Sequence, residues 1–393
     1  MKRLAFVVQR YGPEIDGGAE HQARRVAEAL ASDYEIEVLT TCARDYLTWR
    51  NVYPPGTEPL NGVRVRRFAV SRPRRVRAFG RFADRLYARP HTPFEEVEWI
   101  RRQGPLALGL LDWIRAREAD YHGFVFFTYL YLPTLLGLPL VPWKAVLVPT
   151  AHDEPPMALD VFRPLFHLPR GIIYNAEEER AFIQGRFHNE RVPSAVIGAG
   201  VDPAPAAEPE RFRARYGLDG PFLLYVGRVD VQKGCRELVE AFLGWREATG
   251  QPVRLVLMGT IAMRLPRHPA LLALGYRPAE EKWDAMAAAT ALVVPSPHES
   301  LSFVALEAWS LGVPVLATAR SPVLVGHVTR SGGGLLYDGP EEFGGQLSIL
   351  LADEGVRKKC GERGRAYVEA HFRWPPLIER YRRFLEEVLS GGR

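Results

Sequence analysis

Several kinds of chemistry are missing from this 393-residue chain. Its three cysteines, Cys42, Cys235 and Cys360, are far apart, odd in number and form no CxxC pair. That argues against a disulfide framework or a zinc site and fits a reducing cytoplasm. No DxD pair occurs, which removes a divalent-cation site of that kind. There is no GxxxxGK[ST] phosphate loop and no strand–GxGxxG–helix, so a nicotinamide-dependent dehydrogenase is a poor fit. Lysine is scarce: six residues, with arginine supplying the other 45 of 51 positive charges. The stretch that approaches membrane-span length, Gly123 to Trp143, is cut by Pro133, Pro139 and Pro142 and reads as strand, helix, strand. The apolar run near the start, Leu4 to Val8, is too short for a signal peptide and reads as a first core strand.

What is present is a soluble globular composition, 47% hydrophobic and 25% charged with net charge +5. The length suits two domains. Short β-rich runs alternate with amphipathic helical stretches: "LAFVV", "AEHQARRVAEALAS", "YEIEVLTT", then "FVFF" and "KAVLVPT". This is the rhythm of βαβ units and a parallel sheet covered on both faces. It breaks at "VDPAPAAEPE", Val201 to Glu210, a linker with neither strand nor helix period. A second series follows, with strands "PFLLYVG", "VRLVLMG", "ALVVPS" and "VPVLAT" between helices "CRELVEAFLGWREA", "AEEKWDAMAAA" and "SFVALEAWSLG". We expect an α/β protein of two Rossmann-like, doubly wound domains, 1–200 plus 375–393 and 201–374, facing a cleft at the carboxyl ends of both sheets. Pro375 and Pro376 break the chain ahead of a last helix, whose Leu377, Tyr381 and Leu385 share one face.

Four groups of residues could carry chemistry. Glu299 and Glu307 stand eight positions apart, one in the loop after "ALVVPS" and one more than a turn inside a helix starting near Ser302. A helix N-terminus suits an anion, and a carboxylate can accept two hydrogen bonds from a vicinal diol. The pair could therefore hold two diols on either side of a diphosphate. "GRVDVQKG" supplies Arg228 and Lys233 at a strand's carboxyl end, where they could clamp that diphosphate without a metal. Gly17 and Gly18 open a helix whose first turn carries Glu20 and would let a backbone approach a ligand. His152, Asp153 and Glu154 lie just past "KAVLVPT". Each group also has an ordinary reading, as capping carboxylates, solvated loop charges or a structural histidine.

Taken together, "GRVDVQKG", "ESLSFVALEAWSLGVPVLAT", the "GG" loop, "TAHD", "VIGAGVD" and "GGGLLYD" resemble the retaining glycosyltransferases of family 4, which have the GT-B fold. The resemblance implies that Arg228 and Lys233 bind the donor diphosphate, Glu307 the ribose and Glu299 the donor sugar. It places Gly17 and Gly18 near the phosphates, His152 near the reacting sugar, and the backbone of Ser300, Leu301, Ser302 and Phe303 against the donor. It implies transfer from a nucleotide-diphospho-sugar to a carbohydrate or lipid-linked acceptor, with no cofactor and no divalent metal. The last helix would cross back onto the first domain. This chain departs from the family at Leu301-Ser302, where an aromatic–glycine pair is common, and at Gly198-Ala199, where a Pro-Asn pair is. Ser302 is expected to cap its helix. A nucleotide-sugar epimerase and a catalytically silent scaffold on the same architecture remain open.

From Arg64 to Arg89 ten arginines face one acid, Asp84. "RRVRAFGRFADRLYAR" puts Val76, Phe79, Phe82 and Leu86 on one helical face. That face could meet an anionic membrane through Arg72–Arg89 or dock on the first domain. A cytoplasmic protein, on its own or peripheral on the inner membrane face, fits either reading. Base-stacking aromatics beside the arginines are missing, so nucleic acid is not expected as a partner.

Overall fold

The computed structural model describes residues 1–15 and 17–390. Gly391, Gly392 and Arg393, at the end of the expected first domain, lie outside the described residues. The chain forms two compact units, Met1–Ala199 with Pro375–Arg393, and Gly200–Trp374.

The first unit runs β1 (Arg3–Val7), α1 (Gly18–Leu30), β2 (Glu35–Thr41), β3 (Gly56–Leu60), β4 (Val63–Phe68), α2 (Val76–Tyr87), α3 (Pro93–Gln103), α4 (Leu108–Arg117), β5 (Gly123–Phe127), α5 (Leu132–Gly137), β6 (Ala145–Val148), β7 (Gly171–Tyr174), α6 (Glu177–Phe187) and β8 (Ser194–Val196). Its eight strands lie in the order β3-β4-β2-β1-β5-β6-β7-β8. Every pair is parallel except β3 against β4. β5 and β6 are apolar throughout because both of their faces are covered, and all nine of their residues are buried. α1 contributes Ala23, Val26, Ala27 and Leu30 to the core at helical spacing. α3 starts with a capping box, Thr92 and Glu95 bonding each other's backbone with Pro93 in the first turn. α2 lays Phe79 on α3, with ring centroids of Phe79 and Trp99 5.5 Å apart, and buries Ala83 and Leu86. The apolar face that a bilayer would have needed is thus spent largely on α3, although Val76 stays exposed.

The second unit runs α7 (Pro209–Tyr216), β9 (Phe222–Val226), α8 (Cys235–Thr249), β10 (Arg254–Met258), β11 (Leu271–Gly275), α9 (Ala279–Ala288), β12 (Ala291–Val294), α10 (Phe303–Ser310), β13 (Val315–Thr318), α11 (Pro322–Ser331), β14 (Gly334–Tyr337), α12 (Pro340–Ala352) and α13 (Glu354–His371). Its six strands, ordered β11-β10-β9-β12-β13-β14, are all parallel. The expected linker ends early, because α7 begins at Pro209, a residue that suits the first turn of a helix.

The last helix, α14 (Trp374–Ser390), carries Pro375 and Pro376 in its own first turn, where they lack only N–H groups that a helix leaves unpaired anyway. They start a helix here; α13 has already ended at His371. Leu377, Tyr381 and Leu385 are each at most 1% exposed. The Tyr381 hydroxyl accepts from Gln22 Nε2 at 2.8 Å and donates to the Gly198 carbonyl at 3.0 Å. Arg170 Nε donates to the Val388 carbonyl at 3.0 Å.

Candidate functional site

In each unit the strand order reverses beside one strand. β1 lies between β2 and β5, and β9 between β10 and β12. In an open parallel sheet the crevice at the carboxyl ends of such neighbouring strands is where ligands bind. Arg228, Lys233 and Glu299 fall on loops at the second of these places; Gly17 and Gly18 follow β1 at the first, His152 follows β6, the neighbour of β5, and Phe303 and Glu307 lie within α10.

In the second unit the loop after β9 holds Arg228, Asp230 and Lys233, and the loop after β12 holds Glu299. Arg228 pairs with the Asp230 carboxylate. The other oxygen of Asp230 accepts from the Lys233 backbone N–H at 2.8 Å, and Lys233 Nζ reaches Glu299 Oε1 at 2.8 Å. Gly234 takes φ +71°, and a Cβ there would run into the Pro295 carbonyl, so only glycine lets the two loops come this close. Glu307, the fifth residue of α10, pairs with Lys282 of α9 at 2.6 Å. Each glutamate of the eight-residue spacing therefore meets a lysine, in a chain whose cations are nearly all arginine. Lys282 was not foreseen. Its rarity as a residue type was the available signal, but its partner lies 25 positions away on another helix.

Ser302 does sit at the N-cap of α10, but it does not cap. Its backbone is left-handed, φ +66° and ψ +69°, and its side chain makes no cap hydrogen bond. At 4% exposure its Oγ has no hydrogen-bond partner among the described residues. An N-cap side chain works from the extended region; the left-handed region suits glycine. That is the physical meaning of the glycine the resembling family carries here. Leu301 beside it is buried. Ser300 belongs to the same loop, and Phe303 opens the helix.

In the first unit, Gly17 is the extended N-cap of α1 and Gly18 its first residue. A Cβ on Gly17 would strike the Glu20 carboxylate, so this glycine is already explained by packing. Glu20 is held from two sides, accepting from Gln9 Nε2 and from Arg10 Nε, both at 2.8 Å. Gln9, Arg10 and Glu20 are all at most 6% exposed and lie past the end of β1. Thr128 and Thr150, just past β5 and β6, both take positive φ, +63° and +50°. For a β-branched residue this is an outlier, of the kind that gathers at binding sites. His152 follows. Its Nε2 lies 3.6 Å from Glu154 Oε2, and Glu154 Oε1 accepts from the Tyr129 hydroxyl at 2.6 Å. Asp153 is exposed.

Beneath this loop lies Glu179, 2% exposed, which the sequence reading missed. Its oxygens accept from the Ala151 and Asn175 backbone N–H groups, both at 2.5 Å, so one carboxyl pins the ends of two strand-following loops. Burial pushes its pKa up to about 8 against the opposing pull of those two hydrogen bonds. A glutamate at the third position of a helix that follows a strand was a usable signal.

Among the described residues, no group of three or more His, Cys, Asp or Glu side chains could hold a metal ion. No described helix is long and apolar enough to cross a membrane.

Residues 207–367 match the family model of Glycosyl transferases group 1. A D-inositol 3-phosphate glycosyltransferase of Xylanimonas cellulosilytica is 33% identical over 204 residues, 46% of this chain and 48% of that protein. The chain spans about half the length of the first relatives it matches. Among solved structures, sucrose-phosphate synthase of Thermosynechococcus elongatus superposes with TM-score 0.76 at 19% identity, covering all of both chains. Anabaena HepE in complex with UDP and glucose superposes with TM-score 0.72 at 16% identity, covering 98% of this chain and 100% of that one.

Proposed function

We propose that this chain, which has the GT-B fold and whose residues 207–367 match the group 1 glycosyltransferase family model, moves a sugar from a nucleotide-diphospho-sugar to an acceptor hydroxyl with retention of anomeric configuration. The observation that carries the reading is the set of paired charges in the second unit, Lys233–Glu299 and Lys282–Glu307, at the sheet's reversal point and on the helix that follows it.

When the donor binds, Lys233 exchanges the Glu299 carboxylate for a phosphate oxygen. Glu299 then accepts hydroxyls of the sugar, and Glu307 those of the ribose. The backbone N–H groups around Ser300 to Phe303 and the start of α10 face the diphosphate. The bond from the anomeric carbon to the phosphate oxygen breaks as the acceptor oxygen attacks from the same face. The acceptor's proton passes to the departing phosphate. Arg228 and Lys233 stabilise the charge that develops on the leaving diphosphate, and this positioned positive charge does the work a metal does elsewhere. His152, steadied by Glu154, stabilises charge near the anomeric carbon, and Gly17 and Gly18 admit the phosphates. No divalent metal or further cofactor enters, and the site of action is the cytoplasm.

The UDP bound to Anabaena HepE makes UDP the first nucleotide to try. The test is thermal unfolding with UDP, GDP, ADP or dTDP, EDTA present, on the wild type and Glu307→Ala. At a hundredfold excess over Kd a nucleotide adds about 2.7 kcal/mol, or roughly 5–10 °C for a unit of this size. One preferred nucleotide, with its shift lost in Glu307→Ala, supports the transferase. No shift with any nucleotide sinks the reading in favour of a silent scaffold.

A further inference from the structure

We infer that the first unit carries a separate pocket for a phosphoryl group, and that this group belongs to the acceptor of the transfer proposed above. The pocket's existence is independent of that reading; its assignment to the acceptor rests on it. A cavity of about 240 Å³ opens between the loop after β4 and the helix α3. Arg72, Arg74 and Arg75 line it from the loop, Arg101 and Arg102 from the helix, and Glu98 is the one acid in its wall. Five guanidinium groups thus face a single carboxylate.

That carboxylate is already committed. Glu98 accepts from Arg101 Nε at 2.6 Å and from Arg102 Nε at 2.7 Å. The hydrogen bond from Arg101 leads in holding its pKa down, to about 2. The remaining three arginines have no carboxylate partner among the described residues. Arg74 is the most telling. Its Nε donates to the Leu47 carbonyl at 2.7 Å, its Nη1 to Gln103 Oε1 at 2.5 Å, and its Nη2 to the Tyr46 carbonyl. All three acceptors are uncharged. The guanidinium also lies 5.5 Å from the Trp49 ring centroid and 5.2 Å from that of Phe79. Asp45 acts on it only electrostatically, with no direct ion pair among the described residues, and Arg72 and Arg75 are exposed beside it, so the three guanidinium groups together lack a full counter-charge. An anion entering the cavity supplies it.

Converging guanidinium forks match the several oxygens of a phosphoryl group. The volume falls below the roughly 300–1,000 Å³ of pockets that take a whole small ligand, so it suits a charged end with a few atoms attached. The place fits too. The pocket sits past the carboxyl ends of β2 and β4, in the sheet whose β1 and β6 lead to Arg10 and His152. Tyr46 links the two regions, since its carbonyl takes the Arg74 bond and its ring lies 5.3 Å from the Arg10 guanidinium.

The phosphoryl group can come from a soluble sugar or polyol phosphate or from a lipid headgroup, and the experiment separates them. In phosphate-free buffer, inorganic phosphate, glucose 6-phosphate and glucose are titrated calorimetrically into the full chain. Sedimentation with phosphatidylcholine vesicles, with and without phosphatidic acid, is run beside them. The proteins are wild type, the double variant Arg72→Gln/Arg75→Gln, Glu98→Gln, and Arg115→Gln as an exposed control on α4; UDP binding is measured on each. We expect glucose 6-phosphate but not glucose to bind. Affinity should fall at least about tenfold in the double variant, rise severalfold in Glu98→Gln and stay unchanged in Arg115→Gln. Binding only to phosphatidic-acid vesicles, with the same dependence on the variants, supports the pocket and makes the source a lipid. Binding of no phosphorylated probe, or equal binding by wild type and double variant, overturns the pocket. UDP binding answers for the donor reading alone: its loss with the phosphate arm intact removes the donor assignment and leaves the pocket standing.

Discussion

Replacing Ser302 by glycine should make the second unit more stable, against the usual rule that glycine weakens a structure. Ser302 is held at φ +66° with its hydroxyl buried and unpartnered among the described residues. A left-handed backbone costs an L-residue about 1–2 kcal/mol, which glycine does not incur. The buried hydroxyl without a partner costs a further ~1–3 kcal/mol, and the change removes that as well. Against this stands the greater freedom of glycine in the unfolded chain, about 0.5–1 kcal/mol. The balance is a gain of about 2 kcal/mol, or roughly 4–8 °C in the midpoint of a unit of this size. Ser302→Ala separates the causes, because it deletes the hydroxyl and keeps the Cβ; it should recover only part of the gain. Differential scanning calorimetry of the three proteins without ligand reads both. A midpoint for Ser302→Gly equal to or below wild type would refute the argument, since the strain would then not be stored at this residue.

Gly234→Ala should do the reverse. The new Cβ faces φ +71° and a backbone carbonyl that cannot move aside, so denaturant unfolding should show a loss of about 2–4 kcal/mol. Tyr381→Phe removes the hydroxyl that serves Gln22 and Gly198. It should cost about 1–3 kcal/mol in the first unit, read by its thermal midpoint. Glu179 sets a pH dependence. Its folded pKa of about 8 lies above the ordinary 4.5, so between those values the folded state binds more protons than the unfolded chain. Its contribution is fully present below about pH 4.5 and is lost as pH rises through 8. Urea midpoints from pH 5 to 9 should fall more steeply for wild type than for Glu179→Gln; parallel profiles would show that the carboxyl does not titrate in this range.

The fold was legible where burial is periodic or continuous. The "FVFF", "LLYV" and "LVV" runs are strands buried on both faces, and such runs announce themselves. The antiparallel hairpin β3–β4 was not read, because β3, "GTEPL", is an exposed edge with no apolar alternation. α7 escaped because the proline-rich stretch before it hides its start. In the candidate site, the sequence put Arg228, Lys233 and Glu299 in strand-end loops, and the structure has them there. The partners could not be read. The Lys233–Glu299 contact joins residues 66 positions apart, and Glu179 meets Ala151 from a separate helix. Nor does a residue type report its own φ: Ser302 has the composition of a cap and the backbone of a glycine. Motifs record which groups are available, whereas tertiary contacts decide what they are bonded to.

The position of α14 has a consequence for how the protein is made. Gly123 and Gly171, at the starts of β5 and β7, leave no room for a Cβ because Leu389 and Phe384 of α14 lie against them. The sheet of the first unit is therefore shaped for a helix that is made only after the whole second unit. The second unit can complete its own core while the first still waits with apolar surface uncovered, so the usual N-terminal-first order of folding during synthesis is inverted. A nascent chain stalled anywhere before α14, or one trimmed at Trp374, carries its defect in the part of the molecule made earliest.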